Sequence, residues 1–438
     1  MAHDPTCGQT HPHPRQEPRY PGPITLARLE EIFRDCVDFV HRTVWVGEDP
    51  RHSLTLCYLS GMVRMERISD YLLRPMAQDP ELARCAGTTP VMERMRQGAL
   101  YNLTVEERDR LDQVVFDLVA GWCVFLFPGE SAVLSCFVGT EEKRSVSAPD
   151  NETVLKGAKD AFVESVRTNT SIVRRHLKAP ELRIQEQIVG RQSATLVDIL
   201  YIEGITNPHL VEQVAAQLRD IDIDGVFSTG AIEEYIVPAA HTPFPLIQYT
   251  ERSDRFCAGL AQGRVGILID GIPLGYLAPA VLGNFLQAPQ DKSSNWLLAT
   301  ALTVLRYFCM LTTLLLPALY IAMVTFHQEM IPTRLALSII AAKENVPFRS
   351  GFEVIVLLLA FEILQEAGLR LPQSIGQTVS IIGGLVVGSA AVEAKIVSPA
   401  VLIVVAIAGI AGYTMPSQEL SGALRLWRFL LALLAGAA

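Results

Sequence analysis

Three carboxylates set in an apolar stretch are the first residues with the means to do chemistry. Glu353, Glu362 and Glu366 flank or interrupt the run Val354–Phe361. On a helix Glu362 and Glu366 stand one turn apart and share a face, while Glu353 points roughly the opposite way. An ionised carboxylate at the middle of a bilayer costs about 3 kcal/mol even on lenient insertion scales, so such groups face protein or water. Glu362 and Glu366 are therefore candidates to line a cation path. Interfacial anchoring or a salt link, for instance to Arg370, is the plainer alternative.

Other clusters are weaker. Asp220, Asp222 and Asp224 alternate, which on a strand would put three carboxylates on one side. No calcium-loop spacing surrounds them, so a solvated strand edge is expected. Arg174-Arg175-His176 reads as the charge complement of a helix C-terminus. His3, His11 and His13 belong to a polar, Pro-rich lead-in. The eight cysteines form no CxxC or zinc-ligand spacing and read as buried reduced thiols. GxGxxG, Walker, HExxH and GxSxG patterns are absent from the sequence. The expectation is no catalytic residue, no cofactor, no metal and no enzyme. The net charge of −9 gives no reason to invoke nucleic acid.

The elements that must hold these groups fall into two materials. Charged residues are spread through 24–295 and become scarce after Arg306. Tyr307–Phe326 carries no charge, and about twenty residues at ~1.5 Å each make a helix of roughly 30 Å, the thickness of a bilayer's hydrocarbon core. Leu371–Val392 and Ile396–Gln418 are also uncharged. A transmembrane helical domain is expected over 296–438, with hydrophobic segments at 307–326, 352–368 (short, and so re-entrant, tilted or interfacial), 371–392, 396–415 and 424–438. Phe326-His327 reads as a span's exit from hydrocarbon, and Gln328–Glu329 as headgroup depth. Leu335, Ile339 and Ile340 against Arg334, Lys343 and Glu344 suggest an interfacial helix after Pro332. Pro317 offers a kink inside the first span, structural or gating. Gly376, Ser380, Gly384 and Gly388 recur every fourth residue, a stripe suited to close helix packing within the chain or around a pore. The Lys/Arg distribution does not decide orientation. With no signal peptide visible at the start, the soluble part is expected on the cytoplasmic side.

Before the membrane segments, residues 1–23 read as a disordered lead-in. Helical spacing begins at Thr25 and runs through Leu26, Leu29, Ile32, Phe33, Val37 and Val40. Tyr58-Leu59-Ser60-Gly61 lines up with Tyr201-Ile202-Glu203-Gly204, 143 residues later, and residues 121–135 resemble 263–277. Both latter stretches give Gly, strand, tight turn at Gly129 or Gly271, and strand. Two tandem, similar α/β units are expected, at 24–145 and 150–290. Leu182–Val189 and Ala194–Ile202 should form a hairpin in the second.

The stretches 306–348 and 361–405 closely resemble the A-subunit family of bacterial spore germination receptors, the GerA family. "FPLIQYTERSDRF" (244–256) and "GRVGILIDGIPL" (263–274) match it as well. The resemblance covers about 140–438 and is densest from Pro243 onward; its motif residues include Glu251, Arg252, Asp270, Gly271, Pro317, His327, Glu329 and Pro332. Residues 156–162 and 292–294 depart from the family's usual pattern. The resemblance implies a multi-pass protein of the spore inner membrane, working with a transporter-like B subunit and a C-subunit lipoprotein. It also implies oligomerisation, plausibly as a pentamer, into a nutrient-gated ion channel. The stage V sporulation protein AF group shares this architecture and remains an alternative, as does a membrane-anchored sensor or scaffold without its own pore.

Overall fold

The computed structural model describes residues 19–46, 49–85, 87–101, 104–139, 149, 152, 159–226, 230–237, 242–370 and 388–437. The chain divides into two compact units: an α/β unit built from most of the chain up to Pro279, and a helical unit from Ala280 onward that also takes in 239–248.

The α/β unit holds two five-stranded sheets. The first contains β1 (Phe39–Val46), β2 (Asp49–Leu59), β3 (Val105–Arg108), β4 (Trp122–Leu126) and β5 (Val133–Phe137); the second contains β6 (Leu182–Val189), β7 (Thr195–Ile202), β8 (Gln248–Thr250), β9 (Val265–Ile269) and β10 (Gly275–Ala278). Their spatial orders are β1-β2-β4-β5-β3 and β6-β7-β9-β10-β8, one topology used twice. The registers follow suit: Phe39 pairs with Leu59 and Leu182 with Ile202, both antiparallel. β6 and β7 form the expected hairpin.

Helices cover these sheets in equivalent ways. α1 (Leu26–Ile32) and α2 (Leu111–Val119) lie on one face of the first sheet, burying Leu29, Ile32, Val115 and Leu118 with Cys57, Leu59 and Val124. α3 (Val166–His176) and α5 (Ser253–Ala261) take the same places on the second, with Val166, Val173, Phe256 and Leu260 packed on Leu200 and Leu268. Between them in sequence lies α4 (Pro208–Arg219), begun by an Asn207 cap and a proline in the first turn. A close backbone approach also recurs. Gly121 (φ +89°) would put a Cβ 2.8 Å from the Met62 carbonyl oxygen, and Gly263 (φ +86°) would put one 3.0 Å from that of Ile205. Only glycine accepts both the left-handed backbone and the contact.

One expectation fails here. The helix from Thr25 does not run to Val40; it ends at Ile32, Asp35 turns left-handed (φ +58°), and Val40 lies in β1. Apolar residues at helical spacing continue past the real end because the next strand supplies its own.

The helical unit contains α6 (Trp296–Thr325), α7 (Thr333–Lys343), α8 (Ser350–Arg370), α9 (Pro399–Gly412) and α10 (Gln418–Ala437). α6 and α10 are long and apolar enough to cross a membrane. α6 begins eleven residues earlier than the uncharged run and passes unbroken through Pro317. α8 has 21 residues, more than the 352–368 segment read from hydropathy, and α9 has 14, fewer than 396–415. Most of the 371–392 segment lies outside the described residues. Tyr320, Ile321, Val354, Leu358, Val401, Val405 and Ala432 form the core shared by α6, α8, α9 and α10. α7 buries none of its residues.

Candidate functional site

Two of the three carboxylates, Glu353 and Glu362, are held by groups from other helices. Glu362 on α8 meets two arginines of α10: Arg425 Nη1 donates to Oε1 at 2.6 Å, and Arg428 Nη2 to Oε2 at 3.4 Å. Arg425 and Arg428 are three apart, hence on one face of α10. The Arg428 side chain is 4% exposed and that of Glu362 26%. The side chain of Arg370, the partner suggested by local sequence, lies outside the described residues. With Glu362 ionised the trio carries one net positive charge, and each arginine buries an Nε with no hydrogen-bond acceptor among the described residues. Glu366, one turn further on, is exposed. The two glutamates thus sit in different surroundings although they share a helix.

Glu353 is fully buried and serves the start of α9. Its Oε2 accepts from the backbone N–H of Ser398, the residue that caps α9, at 2.8 Å. Lys343 Nζ, at the end of α7, lies 3.5 Å from Oε1 and donates to Ser350 Oγ. A carboxylate at a helix N-terminus complements the exposed amides there.

The remaining membrane-segment residues fall as follows. Pro317 is buried in α6. Thr313, whose carbonyl the proline leaves without its usual donor, gives its hydroxyl proton to the Ala408 carbonyl of α9 at 3.1 Å. His327 follows the end of α6, Glu329 lies in the 3-10 turn Gln328–Met330, and Pro332 caps α7. Of the small-residue stripe, Gly376, Ser380 and Gly384 lie outside the described residues. A Cβ at Gly388 would stand 3.2 Å from Leu402 of α9, a close approach within the chain.

The motif residues of the α/β unit make contacts within that unit. Arg252 is buried and makes a two-nitrogen contact with Asp254 (3.0 and 2.7 Å). The Glu251 carbonyl accepts from Phe162 N–H at 2.8 Å. Asp270 Oδ1 accepts from the first amide of α3, Val166, at 2.9 Å, and Gly271 N–H donates to Glu164 O at 2.7 Å. Together they fasten the chain leading into α3 to the second sheet.

One sequence expectation about charge is corrected and another gains a buried contact. Asp220 caps the end of α4, and residues 221–226 form no strand, so Asp220, Asp222 and Asp224 do not share a strand face. Asp222 pairs instead with Arg191 at 2.6 Å. Arg174, Arg175 and His176 lie in the last turn of α3, as a charge complement of its C-terminus requires, and Arg174 also turns inward. It is 1% exposed and grips Asp38, just before β1, through Nε and Nη2 at 2.8 and 2.9 Å. That pair links the helix of one sheet to the lead-in of the other.

Local patterns gave no hint of Asp198 as special. It lies on β7 opposite Glu186, with no exposure, and burial pushes its carboxyl up to about 7; Arg167 opposes that shift, while Glu186, Asp38 and Asp270 add to it. Strand alternation was the available signal, since it puts residue 198 on the face of Leu196, Leu200 and Ile202. Cys57, Cys136 and Cys257 are buried free thiols, each pushed up to about 12 by desolvation. Among the described residues no group of three or more His, Cys, Asp or Glu could hold a metal ion.

Residues 27–438 match the model of the family described as Bacillus/Clostridium GerA spore germination protein. The chain belongs to the GerA family. It is 35% identical over 405 residues to spore germination protein KA of Bacillus subtilis (strain 168), covering 92% of this chain and 74% of that one. It is 35% identical over 414 residues (94% and 79%) to the membrane protein YfkQ of the same organism. Against spore germination protein GerLA of Bacillus cereus it is 34% identical over 388 residues (88% and 78%). Among solved structures, the N-terminal domain of the A subunit of the Bacillus megaterium spore germinant receptor GerK3 is 29% identical, over 59% of this chain and 94% of that one, with a TM-score of 0.45. As a GerA-family member, the chain has its role in spore germination.

Proposed function

We propose that this GerA-family chain is the A subunit of a nutrient germinant receptor, and that copies of it assemble in the spore inner membrane, as a pentamer, into a gated ion channel. It works there with a transporter-like B subunit and a C-subunit lipoprotein, as a multi-pass protein whose α/β unit stays on the core side. The two sheets of that unit derive from one duplicated module. The observation that carries the channel reading is charge inside the helical unit: Glu362, Arg425 and Arg428 are packed between α8 and α10, and α10 is apolar enough to span. Groups this expensive in hydrocarbon belong beside protein or a water-filled path. Glu362 and Glu366 remain the residues assigned to that path, and Pro317 the candidate kink.

The pairing of Glu362 within one chain favours a second reading. In it the charges only hold helices together, and the protein is a sensor, scaffold or accessory component like the stage V sporulation protein AF group. Reconstitution of the purified chain in liposomes separates the two. The channel reading expects a cation current whose size or selectivity changes in the Glu362→Gln/Glu366→Gln variant at unchanged assembly. A folded oligomer that passes no current, with or without its partner subunits, refutes it.

A further inference from the structure

Asp198 has charged groups around it from several elements. Glu186 stands across from it on β6, Arg167 comes from α3, Asp270 follows β9, and Asp38, held by Arg174, precedes β1. Most of these are committed elsewhere. Arg174 holds Asp38, Asp270 caps the first amide of α3, and Arg167 bonds to Glu186. What remains for Asp198 is Arg167 Nη1 at 3.9 Å, too far for a hydrogen bond, and neither of its oxygens has a hydrogen-bond partner among the described residues. A buried ionised carboxylate in that position is costly, whereas its neutral form is far less so.

The helix above it is where the two sheets meet. α3 is gripped on one side by the Asp38 ion pair and approaches the Gly61 turn so closely that a Cβ there would lie 3.2 Å from that of Ser171. On its other side Val166 and Val173 pack on the face of β7 that carries Asp198. The equivalent place in the first sheet is Thr55, which pairs with Leu126 as Asp198 pairs with Leu268. A carboxylate at this strand position is thus a feature of the second sheet.

We propose that Asp198 is a proton-binding site that latches α3: with its proton on, the helix closes over the second sheet, and with the proton lost to water the helix loosens from both sheets. The closed form holds the carboxyl at about 7 against an ordinary 3.8. Closure therefore takes up a proton between roughly pH 4 and pH 7; docking is tightest at the acid end, weakens as pH rises through this window, and levels off above it.

Hydrogen exchange on the full-length chain in detergent tests this, with amides 166–176 corrected for intrinsic exchange. The opening constant of α3 should rise about tenfold per pH unit between pH 5 and pH 7. It should be nearly flat in Asp198→Asn and in Asp198→Thr, the residue type of the first sheet. His176, at the far end of α3, is present in all three proteins, so its contribution cancels in the comparison. A flat profile in the wild type, or the wild-type slope retained in either variant, overturns the proposal. The infrared carboxyl band of the wild type requires no variant to fold. It should vanish with a midpoint near pH 7, and a band already gone at pH 5 also overturns it.

Discussion

Replacing Glu362 by Gln would leave Arg425 and Arg428 side by side on one face of α10 with no counter-charge in contact among the described residues. Arg428 is 4% exposed, so the change strands a guanidinium that has almost no access to water. Breaking a buried pair by removing one partner costs about 3–5 kcal/mol. The 3.4 Å contact and the partial exposure of Glu362 place this case at the lower end. The Arg425 contact is more accessible, 21% exposed on the arginine side, and adds ~1 kcal/mol or less after solvent screening. A total of about 3–4 kcal/mol corresponds to a fall of roughly 6–16 °C in melting temperature for a unit of this size. Thermal unfolding of the purified chain in detergent, followed by fluorescence of Trp427 on the same helix, reads it directly. The Glu362→Gln/Arg428→Met variant should recover part of the loss, because no deeply buried charge is then left alone. A single variant that melts within about 2 °C of the wild type, or a double variant worse than the single, refutes the reasoning.

Arg174→Met should destabilise the α/β unit by about 3–5 kcal/mol, since it abandons buried Asp38; adding Asp38→Asn should restore much of that, measured by denaturant unfolding of the full chain. Cys57, Cys136 and Cys257, with thiols pushed to about 12, should resist maleimide at pH 7 in the native protein and react only with unfolding; mass spectrometry of the labelled peptides checks this.

How much of this was legible beforehand depended on range. The paired Gly61/Gly204 and Gly129/Gly271 landmarks pointed to two similar halves, because tight turns with left-handed backbone leave a fixed residue type behind. The hairpin at 182–202 was readable for the same local reasons. Partners distant in sequence were not. The salt link weighed for these glutamates looked to nearby Arg370, whose side chain lies outside the described residues, while the arginines that hold Glu362 lie 63 and 66 residues away. The pairing had left a trace, since two arginines three apart in an apolar segment need an acidic face opposite. Helical spacing likewise misread 33–40, where a turn at Asp35 and a new strand happened to extend the pattern. The three aspartates after α4 looked like a strand only because alternation is also what an irregular loop can produce.

Arg306 sits at the eleventh residue of α6, where it donates to Asp291 Oδ1 at 3.0 Å and to the Leu286 carbonyl at 3.2 Å. In the membrane reading this contact works as a depth stop. The first three turns stay on the aqueous side with the segment that holds them. From Tyr307 to Thr325 the helix then offers about 28 Å of uncharged length, close to one bilayer's hydrocarbon. Sliding α6 inward would draw an ion pair into oil, so tilting or turning about that pivot is the cheaper way for the helix to move.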